Sequence, residues 1–185
     1  MALSPQPASE RIALDGRLCL AANRWGARRA VGLFFAAISR LGDGLFWYVL
    51  MTLLALAGGA RGAAVALQMA ATGLAALVLY RVLKRWTRRP RPHRGCAGVI
   101  ARVPPLDEFS FPSGHTLHAV SFSVVALAWF PLLAPLLLTF TLLVAASRVV
   151  LGLHYPSDVL AAIAIGLLLG GAALLLGPAP GWCVC

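Results

Sequence analysis

Long segments without charge constrain this chain more than any other feature. Three of them lie between Asp43 and Arg61, between Arg61 and Arg81, and between Glu108 and Arg148, and a fourth follows Asp158. The chain is also 60% apolar and only 12% charged. A helix that crosses a hydrocarbon core of about 30 Å needs about 20 mostly apolar residues. The pattern therefore predicts a protein that crosses a membrane several times.

The third uncharged segment is too long for one span, and two prolines divide it. Pro131 and Pro135 stand near its middle, where they favour a turn between two helices. The spans are predicted near residues 44–60, 62–83, 115–130, 132–150 and 156–176. This predicts an all-α fold, a polytopic transmembrane helical bundle of five or six spans, whose small residues favour close helix packing.

The N-terminal segment, residues 1–41, mixes apolar residues with arginines. Residues 1–9 contain two prolines, are predicted to be disordered and lack the pattern of a cleaved signal peptide. Beyond them, one helical face carries Leu14, Leu18, Ala21 and Trp25, and another carries Arg17, Arg24 and Arg28. Such an amphipathic helix is typical of the headgroup layer, and a short first span over residues 22–41 is the alternative. A membrane domain over residues 42–176 and a tail over 177–185 complete the chain.

Two polar loops are predicted to lie on one face of the membrane. The loop over residues 84–114 follows the second span, and the loop over residues 148–155 comes two spans later. Because two crossings return the chain to the side from which it started, both loops reach the same face. A functional site built from both loops is expected there, although any two loops separated by an even number of crossings would share a face.

The first loop ends in a tight turn that opens a helix, Pro112-Ser113-Gly114-His115. The unpaired N–H groups of a helix N-terminus favour a phosphate. Gly114 permits close approach of the backbone, Ser113 adds a hydroxyl donor, and His115 can supply a proton. Lys84, Arg91 and Arg148 stand at the ends of spans, where such cations either reach for the membrane surface or contact the same phosphate.

The second loop carries the complementary pair, His154 and Asp158. Pro156 is well placed to start a helix, so that Asp158 lies one turn beyond His154. A carboxylate that binds one imidazole nitrogen fixes the tautomer and leaves the lone pair of the other nitrogen free, as a histidine nucleophile requires. The alternative is a helix cap with an incidental histidine.

Together these residues resemble the three-part signature of the type 2 phosphatidic acid phosphatase (PAP2) superfamily, in its bacterial membrane lipid phosphatase branch. The parts are Lys84 with Arg91-Pro92, then Pro112-Ser113-Gly114-His115, and then Ser147-Arg148 with His154 and Asp158. All three occur in order with apolar spans between them, and the resemblance covers residues 40–176.

The resemblance implies hydrolysis of a lipid phosphate or pyrophosphate without a metal or another cofactor. His154 would attack phosphorus and form a phosphohistidine, Asp158 would orient it, and His115 would protonate the leaving oxygen. The residues implied to bind the phosphate are Lys84, Arg91, Ser113, Gly114 and Arg148. Asp158 should raise the pKa of His154, although a nucleophile must be neutral, and the surrounding cations oppose that rise.

Several residues stay outside this assignment. His118 follows His115 by one turn, but a packed helical histidine is expected there more than a metal ligand. His93 and the neighbouring arginines could contact a second phosphate or lipid headgroups. The four cysteines, Cys19, Cys96, Cys183 and Cys185, have no metal spacing and support no redox conclusion.

The expected partners are a lipid phosphate substrate and the bilayer, with no nucleic acid. Undecaprenyl pyrophosphate, phosphatidylglycerophosphate and phosphatidic acid are the candidate substrates, and the sequence specifies neither the lipid nor the oligomeric state. The resemblance favours an extracytoplasmic site on a multi-pass inner or plasma membrane protein, whereas the positive-inside rule favours the cytoplasm if the N-terminal helix does not cross. The rival function is a non-catalytic membrane protein that binds polyanions or anionic lipid through Arg85, Arg88, Arg89 and Arg94.

Overall fold

The structure, a computed structural model, describes residues 7–177, with side chains from residue 14 onwards. The all-α prediction is confirmed. The helices are α1 (Pro7–Trp25), α2 (Arg29–Arg40), α3 (Phe46–Ala57), α4 (Gly59–Thr87), α5 (Pro92–Gly95), α6 (Gly114–Trp129), α7 (Ala134–Val150) and α8 (Pro156–Leu176).

Within residues 7–177, four helical segments are long and apolar enough to cross a membrane. They are Arg29–Ala57, Gly59–Thr87, Pro131–Val150 and Pro156–Leu176. Helix α6 has 16 residues and is shorter than these four, yet most of its side chains are buried among them. The chain is therefore a multi-pass membrane protein, and the number of spans stays a prediction.

The helical segment that contains the first predicted span begins earlier than the sequence suggested, at Arg29. A π-helical turn, Leu41–Leu45, joins α2 to α3, and Gly44 within it has a non-helical φ of 143°, so that α2 and α3 are two helices that meet across a kink. The predicted boundary between residues 41 and 42 falls within this junction. Glycine explains the kink, because its backbone tolerates a positive φ. Ring stacking of Phe46 on Phe140, with centroids 3.9 Å apart, anchors α3 to α7.

Helix α1 lies across the end of the bundle that carries the two polar loops. Asp15, Cys19 and Asn23 form its buried face, and Asn23 Nδ2 donates to the carbonyl oxygens of Ile100 (2.9 Å) and Val150 (3.1 Å). The predicted apolar face is exposed on the opposite side, as expected for a helix in the headgroup layer.

The segment predicted to be disordered, residues 1–9, overlaps α1 from Pro7 onwards. Residues 1–6 and the tail beyond Gly177, with Cys183 and Cys185, lie outside the described residues. Cys19 and Cys96 are free thiols, and burial raises the pKa of Cys19 to about 12.

Helix α6 is held in the centre of the bundle by close contact with α8. A Cβ atom on Gly166 would lie 2.8 Å from Cβ of Val120, and one on Gly170 would lie 2.7 Å from Cβ of Val124. Small residues therefore permit the close packing expected of membrane helices. A buried hydrogen bond of 2.8 Å between Ser123 Oγ and Thr141 Oγ1 also ties α6 to α7. The N-terminus of α6 thus has a fixed position.

The two polar loops meet at one end of the bundle, as predicted. The amide of Arg102 donates to the carbonyl oxygen of Leu151 at 3.1 Å, and the amide of Ser113 donates to that of Asp158 at 3.3 Å. Between α7 and α8 the chain turns at Gly152, whose φ is 72°. A Cβ atom there would lie 2.6 Å from the Ile100 oxygen, so that both conformation and space require glycine.

Candidate active site

A cavity of about 790 Å³ opens between α3, α4 and the start of α6. Its polar end brings together six of the eight predicted site residues: Lys84, Arg91, Gly114, His115, Arg148 and His154. Three stretches of the chain supply them, residues 84–91, 114–115 and 148–154. Ser113 and Asp158, the other two, lie behind the cavity wall and are fully buried.

His154 is 1% exposed and lies between a cation and a carboxylate. Its Nε2 is 3.4 Å from Nη1 of Arg91, and its Nδ1 is 3.7 Å from Oδ2 of Asp158. Among the described residues, Nδ1 has no hydrogen-bond partner. Burial lowers the pKa of His154 well below its usual value, and Arg148, Arg91 and Lys84 lower it further. Burial and the nearby cations therefore both favour the neutral imidazole.

Lys84 and Arg91 share one carboxylate, that of Asp107. Nζ of Lys84 lies 2.6 Å from both of its oxygens, and Nη2 of Arg91 donates to Oδ1 at 2.7 Å. Burial tends to raise the pKa of Asp107, but the two cations lower it below the usual value, so the carboxylate is ionised. Lys84 is 5% exposed and Arg91 2% exposed. They therefore point inwards and do not reach for the membrane surface.

Arg148 is the third inward cation, at 3% exposed. Its Nη1 donates to Ser39 Oγ, whereas its Nε has no partner among the described residues. A buried guanidinium with an unused N–H group is a strong donor for an anion.

His115 contacts a residue that the sequence did not identify. Its Nε2 is hydrogen-bonded to Oδ1 of Asp43, in the π-helical turn between α2 and α3, and both residues line the cavity. The sequence showed only a Gly-Asp-Gly break at this point. The available signal in the sequence was an acidic residue next to a long apolar region. The structure adds that this residue lies in a π-helical turn, a feature that frequently occurs at functional sites.

Ser113 connects two helix starts and does not line the cavity. Its hydroxyl lies 3.0 Å from Thr116 Oγ1, and its amide donates to the first turn of α8. At Gly114, an added Cβ would meet the Tyr80 ring at 3.5 Å, an ordinary contact distance. Packing within the protein therefore does not require glycine at position 114.

His118 lies in the cavity wall as a packed histidine. Its Nδ1 is 2.9 Å from the Gly114 oxygen, and its Nε2 is 3.1 Å from the Gly73 oxygen. Over the described part of the chain, no three His, Cys, Asp or Glu side chains are grouped to hold a metal ion. His93 is not part of the cavity wall.

An apolar arm of the cavity, unrecognised from the sequence, extends between α3 and α4. It is lined by Trp47, Tyr48, Met51, Leu74 and Leu77. The two helices touch near their connecting turn, where a Cβ on Gly62 would lie 1.8 Å from the Leu54 oxygen. Towards the polar end they enclose the cavity. The site therefore has a cationic end and an apolar end.

Comparison with known proteins places these features in a family context. The family model described as PAP2 superfamily matches residues 62–180. Undecaprenyl-diphosphatase BcrC of Bacillus subtilis is 33% identical over 99 residues, 54% of this chain and 51% of that protein. Phosphatidylglycerophosphatase B of the same organism is 34% identical over 103 residues, 50% of this chain and 48% of that protein. The chain thus matches about half the length of these relatives.

The fold also resembles a solved structure. The crystal structure of Aquifex aeolicus LpxE superposes with a TM-score of 0.72 and 26% identity. The superposition covers 86% of this chain and 93% of that one.

Proposed function

Because the chain belongs to the PAP2 superfamily, we propose that it is an integral membrane phosphatase that hydrolyses a lipid phosphate or pyrophosphate. The observation that carries the proposal is a buried His154 beside three inward cations, which together favour its neutral form. Undecaprenyl pyrophosphate, phosphatidylglycerophosphate and phosphatidic acid are the candidate substrates. The proposed reaction uses a phosphohistidine intermediate and no metal ion.

In the first step, Nε2 of His154 attacks phosphorus. An N–P bond forms as the P–O bond to the lipid breaks, and His115 gives its proton to the leaving oxygen. This step requires a neutral His154 and a protonated His115. Burial and Arg148 oppose protonation of His115, whereas the contact with Asp43 and the charge of a bound phosphate dianion favour its imidazolium form.

In the second step, water attacks the phosphohistidine. His115, now neutral, accepts a proton from the water, the N–P bond breaks, and inorganic phosphate leaves. Asp158 faces Nδ1 of His154 in both steps and stabilises the positive charge that develops on the ring.

Lys84, Arg91, Arg148 and the N–H of Gly114 bind the non-bridging phosphate oxygens. Charge on these oxygens develops in the transition state, so that fixed donors lower the barrier. Asp107 must release Lys84 and Arg91 when the phosphate enters. Ser113 is assigned a different role from the one that the resemblance implied: it fixes the start of α6 against α8.

The apolar arm between α3 and α4 receives the lipid chain. A substrate whose phosphate lies at the cationic end can extend its hydrocarbon along Met51, Leu74 and Leu77. Apolar contacts alone distinguish hydrocarbon chains only weakly. Recognition of the substrate therefore depends mainly on its phosphate.

We further propose that the site faces the extracytoplasmic side, as the resemblance implies. The charge distribution argues for the opposite side. All 16 Lys and Arg residues fall within residues 7–177, and only Arg61 lies at the end of the bundle opposite the site. Labelling of Arg94→Cys by an impermeant maleimide, in a background whose native cysteines are replaced, distinguishes the two. Labelling in intact cells supports the proposal, and labelling only after lysis overturns it.

Phosphate release by the purified protein in EDTA tests the activity. The panel comprises phosphatidic acid, phosphatidylglycerophosphate and undecaprenyl pyrophosphate, with His154→Ala beside the wild type and His93→Ala as the matched control. We expect release by the wild type and the control and none by His154→Ala. Loss of wild-type activity in EDTA would contradict the metal-free reaction, and absence of release from every substrate would favour the non-catalytic rival.

A further inference from the structure

Arg89 links helix α1 to the carboxylate that faces His154. Its Nη1 donates to Oδ1 of Asp158 at 2.7 Å, and its Nη2 donates to Oδ2 of Asp15 at 2.7 Å. The guanidinium also lies 4.1 Å from the centre of the Tyr155 ring. Three alternating charges therefore connect the N-terminal helix to the first turn of α8.

Each member of this series is held in a defined position. The Asp158 side chain is fully buried, that of Asp15 is 10% exposed and that of Arg89 is 27% exposed. Asp15 accepts a second hydrogen bond from the amide of Ser157 at 3.0 Å and a third from the hydroxyl of Ser157. Buried charges are costly unless they are paired and hydrogen-bonded, and these pairings meet that requirement.

The two oxygens of Asp158 have different partners. Oδ2 accepts from the amide of Tyr155 at 2.9 Å and lies 3.7 Å from Nδ1 of His154. Oδ1 binds Arg89. Fixing Oδ1 therefore fixes the direction in which Oδ2 points.

We propose that Arg89 and Asp15 are positioning residues that hold the Asp158 carboxylate towards His154. The inference rests on the proposed function. Asp15 lies outside the segment that matches the family model, and Arg89 lies between the signature residues Lys84 and Arg91. The N-terminal amphipathic helix is thus part of the machinery of the site and does more than attach the chain to the membrane surface.

The ion pair between Arg89 and Asp158 also affects the protonation of His154. A lone carboxylate beside the imidazole would favour its protonated form, which cannot act as a nucleophile. Arg89 offsets part of the charge of Asp158, since its single positive charge is shared between that carboxylate and Asp15. The orienting carboxylate therefore faces His154 with less than its full negative charge.

A double-mutant cycle tests the proposal. Phosphate release from phosphatidic acid in detergent micelles is measured for Arg89→Gln, Asp15→Asn, Asp158→Asn and the two double variants that contain Asp158→Asn. We expect each of Arg89→Gln and Asp15→Asn to lower kcat at least about tenfold with KM changed less than about threefold. In the Asp158→Asn background, the same changes should have almost no further effect, because both residues act through that carboxylate.

The controls separate positioning from folding. Arg94→Gln, at an exposed pair with Glu108, and Arg17→Gln, on the exposed side of α1, should leave kcat unchanged. Arg89→Lys keeps one charged donor and should recover part of the kcat that Arg89→Gln loses. All rates are taken well below the lowest melting temperature of the set, so that a less stable variant is still compared in its folded state.

Two outcomes would overturn the inference: wild-type kcat in both single variants, or equal losses with and without Asp158. His154→Ala is measured in the same preparation. If His154→Ala still releases phosphate, the proposed function fails. If His154→Ala is inactive while the cycle shows no coupling, the proposed function stands and the positioning role alone fails.

Discussion

Nη1 of Arg91 lies 3.4 Å from Nε2 of His154, so the imidazole nitrogen on the side away from Asp158 faces a cation. The pair is buried, and burial together with Arg148, Arg91 and Lys84 holds the pKa of His154 below its ordinary value of 6.5. The neutral, reactive form therefore persists as the pH falls below 6.5 and is lost only at a lower pH.

This relationship predicts the position of the acid limb of the pH profile. We expect kcat/KM to fall as the pH is lowered, and the fall to be governed by a group whose pKa lies below 6.5. Arg91→Gln should move that limb to higher pH because a cation beside Nε2 is removed, whereas Arg91→Lys, which keeps the charge, should leave it near the wild-type position. Profiles are compared with one substrate, so that ionisation of the substrate contributes equally. A limb at the same pH in all three proteins would contradict the prediction.

Contact between Asp43 and His115 predicts a dependence on the leaving group. His115→Ala should slow phosphate release from phosphatidic acid by about 10²- to 10⁴-fold, the usual contribution of a general acid. Asp43→Asn should slow it by about tenfold, because it weakens the support of the imidazolium. With p-nitrophenyl phosphate, whose leaving group needs no proton, both losses should be much smaller. Equal losses on the two substrates would exclude a role in proton donation.

Asp107 occupies the two cations that are proposed to bind phosphate. Asp107→Asn removes the competing negative charge, and we expect orthovanadate, an analogue of the transition state, to inhibit the variant at a concentration several-fold lower than the wild type. Glu108→Gln, the adjacent acidic residue, is the control for a general change of charge. Weaker inhibition of Asp107→Asn would show that Asp107 mainly holds Lys84 and Arg91 in place.

Substitution in the apolar arm predicts an effect on lipids alone. Leu77→Trp narrows the arm and should raise KM for long-chain phosphatidic acid several-fold, while hydrolysis of p-nitrophenyl phosphate stays unchanged. Val78→Trp, at the next position of α4 but 57% exposed and outside the cavity wall, is the matched control. If Leu77→Trp and the wild type had the same KM for the lipid, the lipid chain would not bind in this arm.

Local patterns in the sequence predicted the polar end of the site, because each part of the signature lies within one turn or one loop. His154 and Asp158, for example, are brought together by the helix that starts at Pro156. Partners that only the packing of distant helices brings together were missed. Asp43 and His115 are 72 residues apart, and Asp15 and Arg89 are 74 residues apart.

Helix boundaries show the same limit. The glycines on either side of Asp43 signal a break, but they do not reveal the π-helical turn that joins α2 to α3. Both helices pack on α7, since Phe46 of α3 stacks on Phe140 while Phe35 of α2 packs beside Val150. Similarly, the apolar face of α1 could be predicted from the sequence, whereas the burial of Asp15 and its contact with Arg89 could not.

The most direct test of the account is to trap the covalent intermediate. Rapid quenching during turnover of lipid phosphate labelled with phosphorus-32, followed by mapping of the labelled peptide, should place an acid-labile phosphate on His154. The label should be absent from His154→Ala and should accumulate in His115→Ala when a substrate with a good leaving group is used. Turnover by the wild type with no label on His154, or phosphate release by His154→Ala at the wild-type rate, would contradict the central claim.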